Sequence, residues 1–167
     1  MNYFDSPQAG VLKRLFAMLY DALLVMALWL VASALLLPFS GDVKGEQYNP
    51  LITVYLLIVT YLFFHWFWTH GGQTLGMRAW KIKLVHVDSK AIDWKITLLR
   101  FVTGMPAWIL IIIASLGVTG NELGVIELSS RTIFISGLVW LLIDNWPNSW
   151  RDRLSHTRVI LLNQRPR

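Results

Sequence analysis

Four long apolar runs, separated by shorter polar stretches, dominate the pattern of the chain. Ala22 to Gly41 carries no charged residue, and Leu51 to Thr69 is interrupted only by His65. Phe101 to Thr119 holds Pro106 in its first turns, while Thr132 to Trp150 is weaker, with Asp144 and Pro147 near its far end. About 20 apolar residues cross a bilayer core of about 30 Å, so each run reads as a membrane-crossing helix. Between the second and third runs the pattern changes. Lys81 to Val87 alternates polar and apolar residues, the signature of a half-buried strand. Asp88-Ser89-Lys90 reads as a turn, and Asp93 is placed to cap the helix entering the third run. Thr157 to Leu162 is a second β-prone run on the same side of the membrane, so the two are expected to pair. Gln73 to Trp80 is expected along the interface, with Leu75, Met77, Ala79 and Trp80 facing lipid. No repeat, low-complexity tract or interdomain linker divides the chain. The expected fold is an all-α membrane protein: four transmembrane helices with a short cytoplasmic β-strand pair and an interfacial segment. It forms one domain over 1–167, with spans of about 15–38, 51–69, 101–119 and 132–150, a linker over 70–100 and a tail over 151–167.

Composition agrees. Only 15% of residues are charged, against 55% hydrophobic, and the mean hydropathy is +0.50. A soluble domain keeps about a quarter of its residues charged. Too little polar sequence exists here to cover a water-facing surface, which excludes a soluble globular domain and a disordered tail. The net charge of +5 invites a nucleic-acid reading, but its placement does not support one. Residues 1–14, 70–100 and 151–167 hold 13 of the 15 Lys and Arg, and the other two are Lys44 and Arg131. By the positive-inside rule, both termini and the linker are expected in the cytoplasm of a cell whose inner membrane holds the protein. The basic residues then face anionic lipid headgroups rather than nucleic acid. Ala32-Ser33-Ala34 resembles a leader cleavage site, but the run is long for a leader and Asp21 interrupts its start, so a retained span is expected. There is no cysteine, hence no disulfide and no thiolate metal site.

Ionisable residues at membrane depth need a reason to be there, since each costs about 2.5–3.5 kcal/mol at a helix centre. Asp21 follows Arg14 by seven positions and Asp144 precedes Arg151 by seven, which places each aspartate about 10 Å inside its neighbour and on the same face. His65 lies roughly 7 Å before His70. Asp21, His65 and Asp144 are therefore expected in one layer, with Arg14, Arg100, Arg151, Asp152 and Arg153 in a second layer at the surface. Such a network can bind and release a proton or cation, or can simply fix helix packing. His65, flanked by Phe63, Phe64, Trp66 and Phe67, also fits an aromatic belt. The outer half of the spans offers no ionisable group well inside, so a transporter is expected to assemble from more than one copy. Gln73-Thr74-Leu75-Gly76 reads either as a turn and helix cap or as a headgroup or anion site, with Arg78, Lys81 and Arg100 as its basic members.

Several landmarks together resemble the RDD family of small, mainly prokaryotic membrane proteins, named for one arginine and two aspartates. They are Lys13-Arg14, Asp21, the run Gly72 to Arg78, Lys83 to Asp88, Leu98-Leu99-Arg100 and the run Arg151 to Ile160. The resemblance implies that Arg14, Asp21 and Asp152 are the eponymous triple, and it covers nearly the whole chain. Arg151 departs from it, because the family commonly has histidine before that aspartate. Some members are regarded as cation/proton antiporters and others act within membrane complexes. Two functions follow. One is a cation/proton exchanger using Asp21, Asp144, Asp152, Arg14, Arg151 and His65, with a monovalent cation or proton as its cargo. The other is a non-catalytic accessory or assembly subunit binding a larger membrane protein or lipid, which the interfacial tryptophans Trp66, Trp68, Trp80, Trp94, Trp146 and Trp150 would anchor. No hydrolase, zinc or phosphate-loop motif is present, so neither an enzyme, a cofactor nor a metal is expected.

Overall fold

The computed structural model of the chain describes residues 6–36, 50–115 and 130–162. The far ends of the first and third apolar runs, Lys44, Thr119, Arg165 and Arg167 lie outside the described residues. The described chain is mostly helical, with one small sheet: α1 (Val11–Leu36), α2 (Pro50–Thr69), α3 (Leu75–Ala79), β1 (Ile82–His86), α4 (Trp94–Ser115), α5 (Ser130–Asp144), α6 (Trp150–Leu154) and β2 (Thr157–Leu161). Among the described residues, Val11–Leu36 and Leu51–Thr69 are long and apolar enough to cross a membrane, and Thr132–Asp144 is a shorter apolar helix.

Two helices begin or end where the hydrophobic pattern did not place them. The third apolar run begins at Phe101, but its helix α4 starts earlier, at Trp94, where the expected Asp93 cap forms: the Asp93 carboxylate accepts the Ile96 N–H at 2.9 Å. Arg100 thereby moves from the helix entrance into the second turn. The fourth run is expected as one helix to Trp150, but α5 stops at Asp144. Pro147 disfavours helical backbone at the residue before it, and Asn148 adopts a left-handed φ of 59°. The chain then turns and re-enters helix as α6.

The strand pair forms as the alternation implies. β1 and β2 are antiparallel with Leu84 opposite Val159. The other edge of β2 is occupied as well: Ala9 N–H donates to Val159 O and Leu161 N–H to Pro7 O, each at 2.9 Å. The segment Pro7 to Ala9 is thus tied to the tail just before α1 begins. Gly72, with φ of 70°, lets Leu84 N–H reach Gly72 O at 2.7 Å, and a Cβ there would collide with Leu84 O.

Ala9, Ala17, Trp68, Ile82, Leu84 and Val159 form a compact core beneath this sheet, with Phe64, Met77 and Phe101 packed against it. Met77 therefore faces protein, while Leu75 and Trp80 stay open and Trp80 stacks on Phe16 at 5.0 Å. Away from the core the usual distribution is inverted. Leu30 and Leu51 are each 75% exposed, whereas Arg100 is the largest fully buried side chain among the described residues. Apolar outside and charged inside is the arrangement that a lipid solvent selects. The Trp29 indole donates to Thr60 Oγ1 at 2.8 Å and joins α1 to α2 in the apolar zone.

Candidate functional site

The helix ends and the sheet enclose three polar assemblies. The first is built on Asp152, which α6 carries into the interior once the break after α5 has redirected the chain. Arg14 Nη1 donates to Asp152 Oδ2 at 2.7 Å, and Arg100 Nη1 donates to Asp152 Oδ1 at 2.9 Å. Arg14 also reaches the carbonyls of Ala9 (3.1 Å) and Val159 (3.4 Å). Arg100 adds Thr157 Oγ1 at 2.7 Å and Ser155 Oγ at 3.4 Å. Burial by itself would raise the Asp152 carboxyl, but the charges of Arg100 and Arg14 and their hydrogen bonds outweigh it and hold it below its ordinary value.

The second assembly is the pair Arg151 Nη1 and Asp144 Oδ2, 2.9 Å apart, with the Trp150 side chain also against the carboxylate. Burial, then the neighbouring Arg100, pushes the Arg151 guanidinium down to about 10, which leaves it charged at neutral pH. Its guanidinium lies over Gly104 of α4, where a Cβ would stand 3.0 Å from Nη1.

The third assembly is centred on Asp21, 4% exposed within α1. Thr74 Oγ1 donates to Asp21 Oδ2 at 2.5 Å and the Gly76 N–H donates to Oδ1 at 2.9 Å. Thr74 in turn accepts the Met77 N–H at 3.1 Å and caps α3. Gly76 allows the close approach, since a Cβ there would meet Ala17 O and come 2.9 Å from Asp21 Oδ1.

These contacts revise several expectations. Asp21, although seven residues from Arg14, shares no ion pair with it, because Arg14 turns toward Asp152. His65 joins neither aspartate; its Nδ1 lies 2.8 Å from Thr97 Oγ1, and Tyr61 packs beside it. Arg100 is 1% exposed and engaged with Asp152, so it is not available to a headgroup at the surface as expected. The start of α3 does not await an outside anion either, since the Asp21 carboxylate fills it. Gln73 is spent on the Ile82 carbonyl at 2.7 Å, while Arg78 and Lys81 are exposed. Spacing along the chain does not reveal Ser155 and Thr157 as partners of Arg100. The Asp93 cap was the available signal, because starting α4 there places Arg100 inside. Among the described residues, no group of three His, Asp or Glu could hold a metal ion.

The family model of the RDD family matches residues 8–156. The chain belongs to the RDD family. No curated protein and no solved structure matches it. In this RDD protein the Arg14 and Asp152 of the expected triple bond directly, and α3 holds Asp21 apart from them. Family membership and the two long apolar helices are those of a membrane protein.

Proposed function

We propose that this RDD protein is a four-span inner-membrane protein with cytoplasmic termini, and a non-enzymatic exchanger of protons for monovalent cations at Asp21. The observation that carries the reading is the solvation of that carboxylate. Asp21 is buried on a membrane-spanning helix and bound by neutral donors, the Thr74 hydroxyl and the Gly76 N–H, while the arginines are committed to Asp152 and Asp144. A carboxylate without a fixed counter-ion can trade a proton for a cation without first breaking a salt bridge. The Thr74 hydroxyl supplies an oxygen beside it for a dehydrated cation. Exchange through so small a bundle is expected to require at least a homodimer.

Proton flux in proteoliposomes, on adding Na⁺, K⁺ or Li⁺, tests the reading for wild type and Asp21→Asn. Cation-dependent flux lost in the variant is the expected result. A flat response from folded wild type overturns it and favours the accessory-subunit role.

A further inference from the structure

The carboxylate of Asp21 is held by a segment whose own anchors lie elsewhere. Among the described residues, both hydrogen bonds of that side chain come from one short stretch, through Thr74 and Gly76. The stretch, residues 74–80, is a unit in itself. Inside it, Arg78 N–H donates to Thr74 O at 3.0 Å and Trp80 N–H to Gly76 O at 3.2 Å. Its flanks are fastened to the sheet. Gln73 Nε2 donates to Ile82 O at 2.7 Å on one side, and Lys81 O accepts Leu162 N–H at 2.8 Å on the other. Each flank also carries a residue with left-handed backbone, Gly72 with φ of 70° and Lys81 with φ of 53°. The chain therefore bends sharply into the stretch and out of it.

Along α1 the stretch runs from Asp21 to Phe16. Thr74 and Gly76 hold Asp21, the Gly76 backbone sits on the Ala17 carbonyl, and Trp80 stacks on Phe16. Asp21 is buried beneath it. Two hydrogen bonds and a ring stack can break and re-form, while the bonds at the flanks keep the stretch in place. Met77, which packs on the core, is unbranched and adapts to a shifted backbone. Leu75 and Trp80 already face outward. A short helix fixed at both ends, and held over a buried group by a few breakable contacts, is built as lids are. We propose that residues 74–80 are a lid over Asp21, which lifts from α1 to admit a solute from the aqueous side and closes again through Thr74 and Gly76. The lid is the gate of the exchange proposed at Asp21 and takes its purpose from that reading. Its opening is measured separately from transport.

The test is the access of a water-borne reagent to Asp21 in the full chain held in nanodiscs. A water-soluble carbodiimide with an amine nucleophile modifies carboxyls that solvent reaches, and mass spectrometry of the Asp21 peptide gives the rate. Thr74→Val removes the hydroxyl that pins the lid and keeps the side-chain shape. It should raise the rate about tenfold, while Thr74→Ser keeps the wild-type rate. In a chain with no other cysteine, Phe16→Cys/Trp80→Cys lets a reducible bis-methanethiosulfonate linker bridge the lid to α1. Bridging should suppress modification of Asp21 and reductant should restore it, with Asp152 unchanged throughout. Cation-dependent proton flux of the same double variant in proteoliposomes should stop on bridging and return on reduction. An Asp21 rate indifferent to Thr74→Val and to the bridge overturns the lid. So does a rise that Asp152 shares, which reports loosening of the whole fold, and so does flux that persists through the bridged lid. A rate that follows the lid in a protein without flux supports the lid and overturns the exchange reading.

Discussion

Asp152 bears two arginines on its two oxygens, and the three side chains are 4% exposed or less. Removing its charge leaves two cations buried with nothing to balance them. Asp152→Asn should therefore destabilise the fold by about 3–5 kcal/mol, read as a lowered melting temperature in detergent. Asp144→Asn should cost less, because it leaves one arginine rather than two without its carboxylate. The pH dependence has a definite sign. The Asp152 carboxyl lies below its ordinary value of 3.8 in the fold, so the unfolded chain takes up the proton first. The stabilisation is complete above that value and fades as pH falls through the lower folded one, between about pH 5 and the strongly acid range. A melting series over that interval should show the step in wild type and lack it in Asp152→Asn.

At the scale of elements, the position of α3 rests on two glycines. Gly76 brings the backbone of α3 against the Ala17 carbonyl, and Gly72 bends the chain at a positive φ so that it can meet Leu84. Gly76→Ala should cost about 1–3 kcal/mol by overpacking a contact whose other side is backbone. Gly72→Ala should cost more, since φ strain adds to the clash. Gly10 supplies the control, because a Cβ added there would meet nothing within 4 Å. Gly10→Ala should stay within about 0.5 kcal/mol of wild type. Chemical or thermal melts of the three variants check the order. The Asp93 cap was legible from its residue type and forms as expected, whereas the break near Pro147 was not, because a hydropathy window averages over it and reports only the apolar run.

For the whole molecule, the expected orientation can be read directly because the chain has no cysteine of its own. Lys90→Cys and Arg158→Cys should react with an impermeant thiol reagent only from the cytoplasmic side, and Lys44→Cys only from the other. The compact core and the charge clusters lie together at one end of the helices, where the sheet gathers the segment before α1, the linker and the tail. That gathering explains how charges far apart in sequence come to share counter-ions. Arg14 and Asp152 are separated by 138 positions and are joined because β2 pairs on one edge with β1 and on the other with Pro7 to Ala9.

Hydrophobic runs, the clustering of basic residues and the alternation at Lys81 to Val87 are properties of the chain itself, and from them follow a lipid-facing helical protein, its small strand pair and its family resemblance. They are legible because lipid and strand pleat act on each residue independently of distant partners. Which charge meets which is a different kind of question. Spacing alone assigned Asp21 to Arg14, and it placed Asp144 with Arg151, where a helix break intervenes. Only the packed molecule gave Arg14 to Asp152, drew Arg100 inside and filled the start of α3 with Asp21. A buried charge is satisfied by whatever the fold brings within about 3 Å, and that distance is fixed by helix ends and sheet register rather than by position in the sequence.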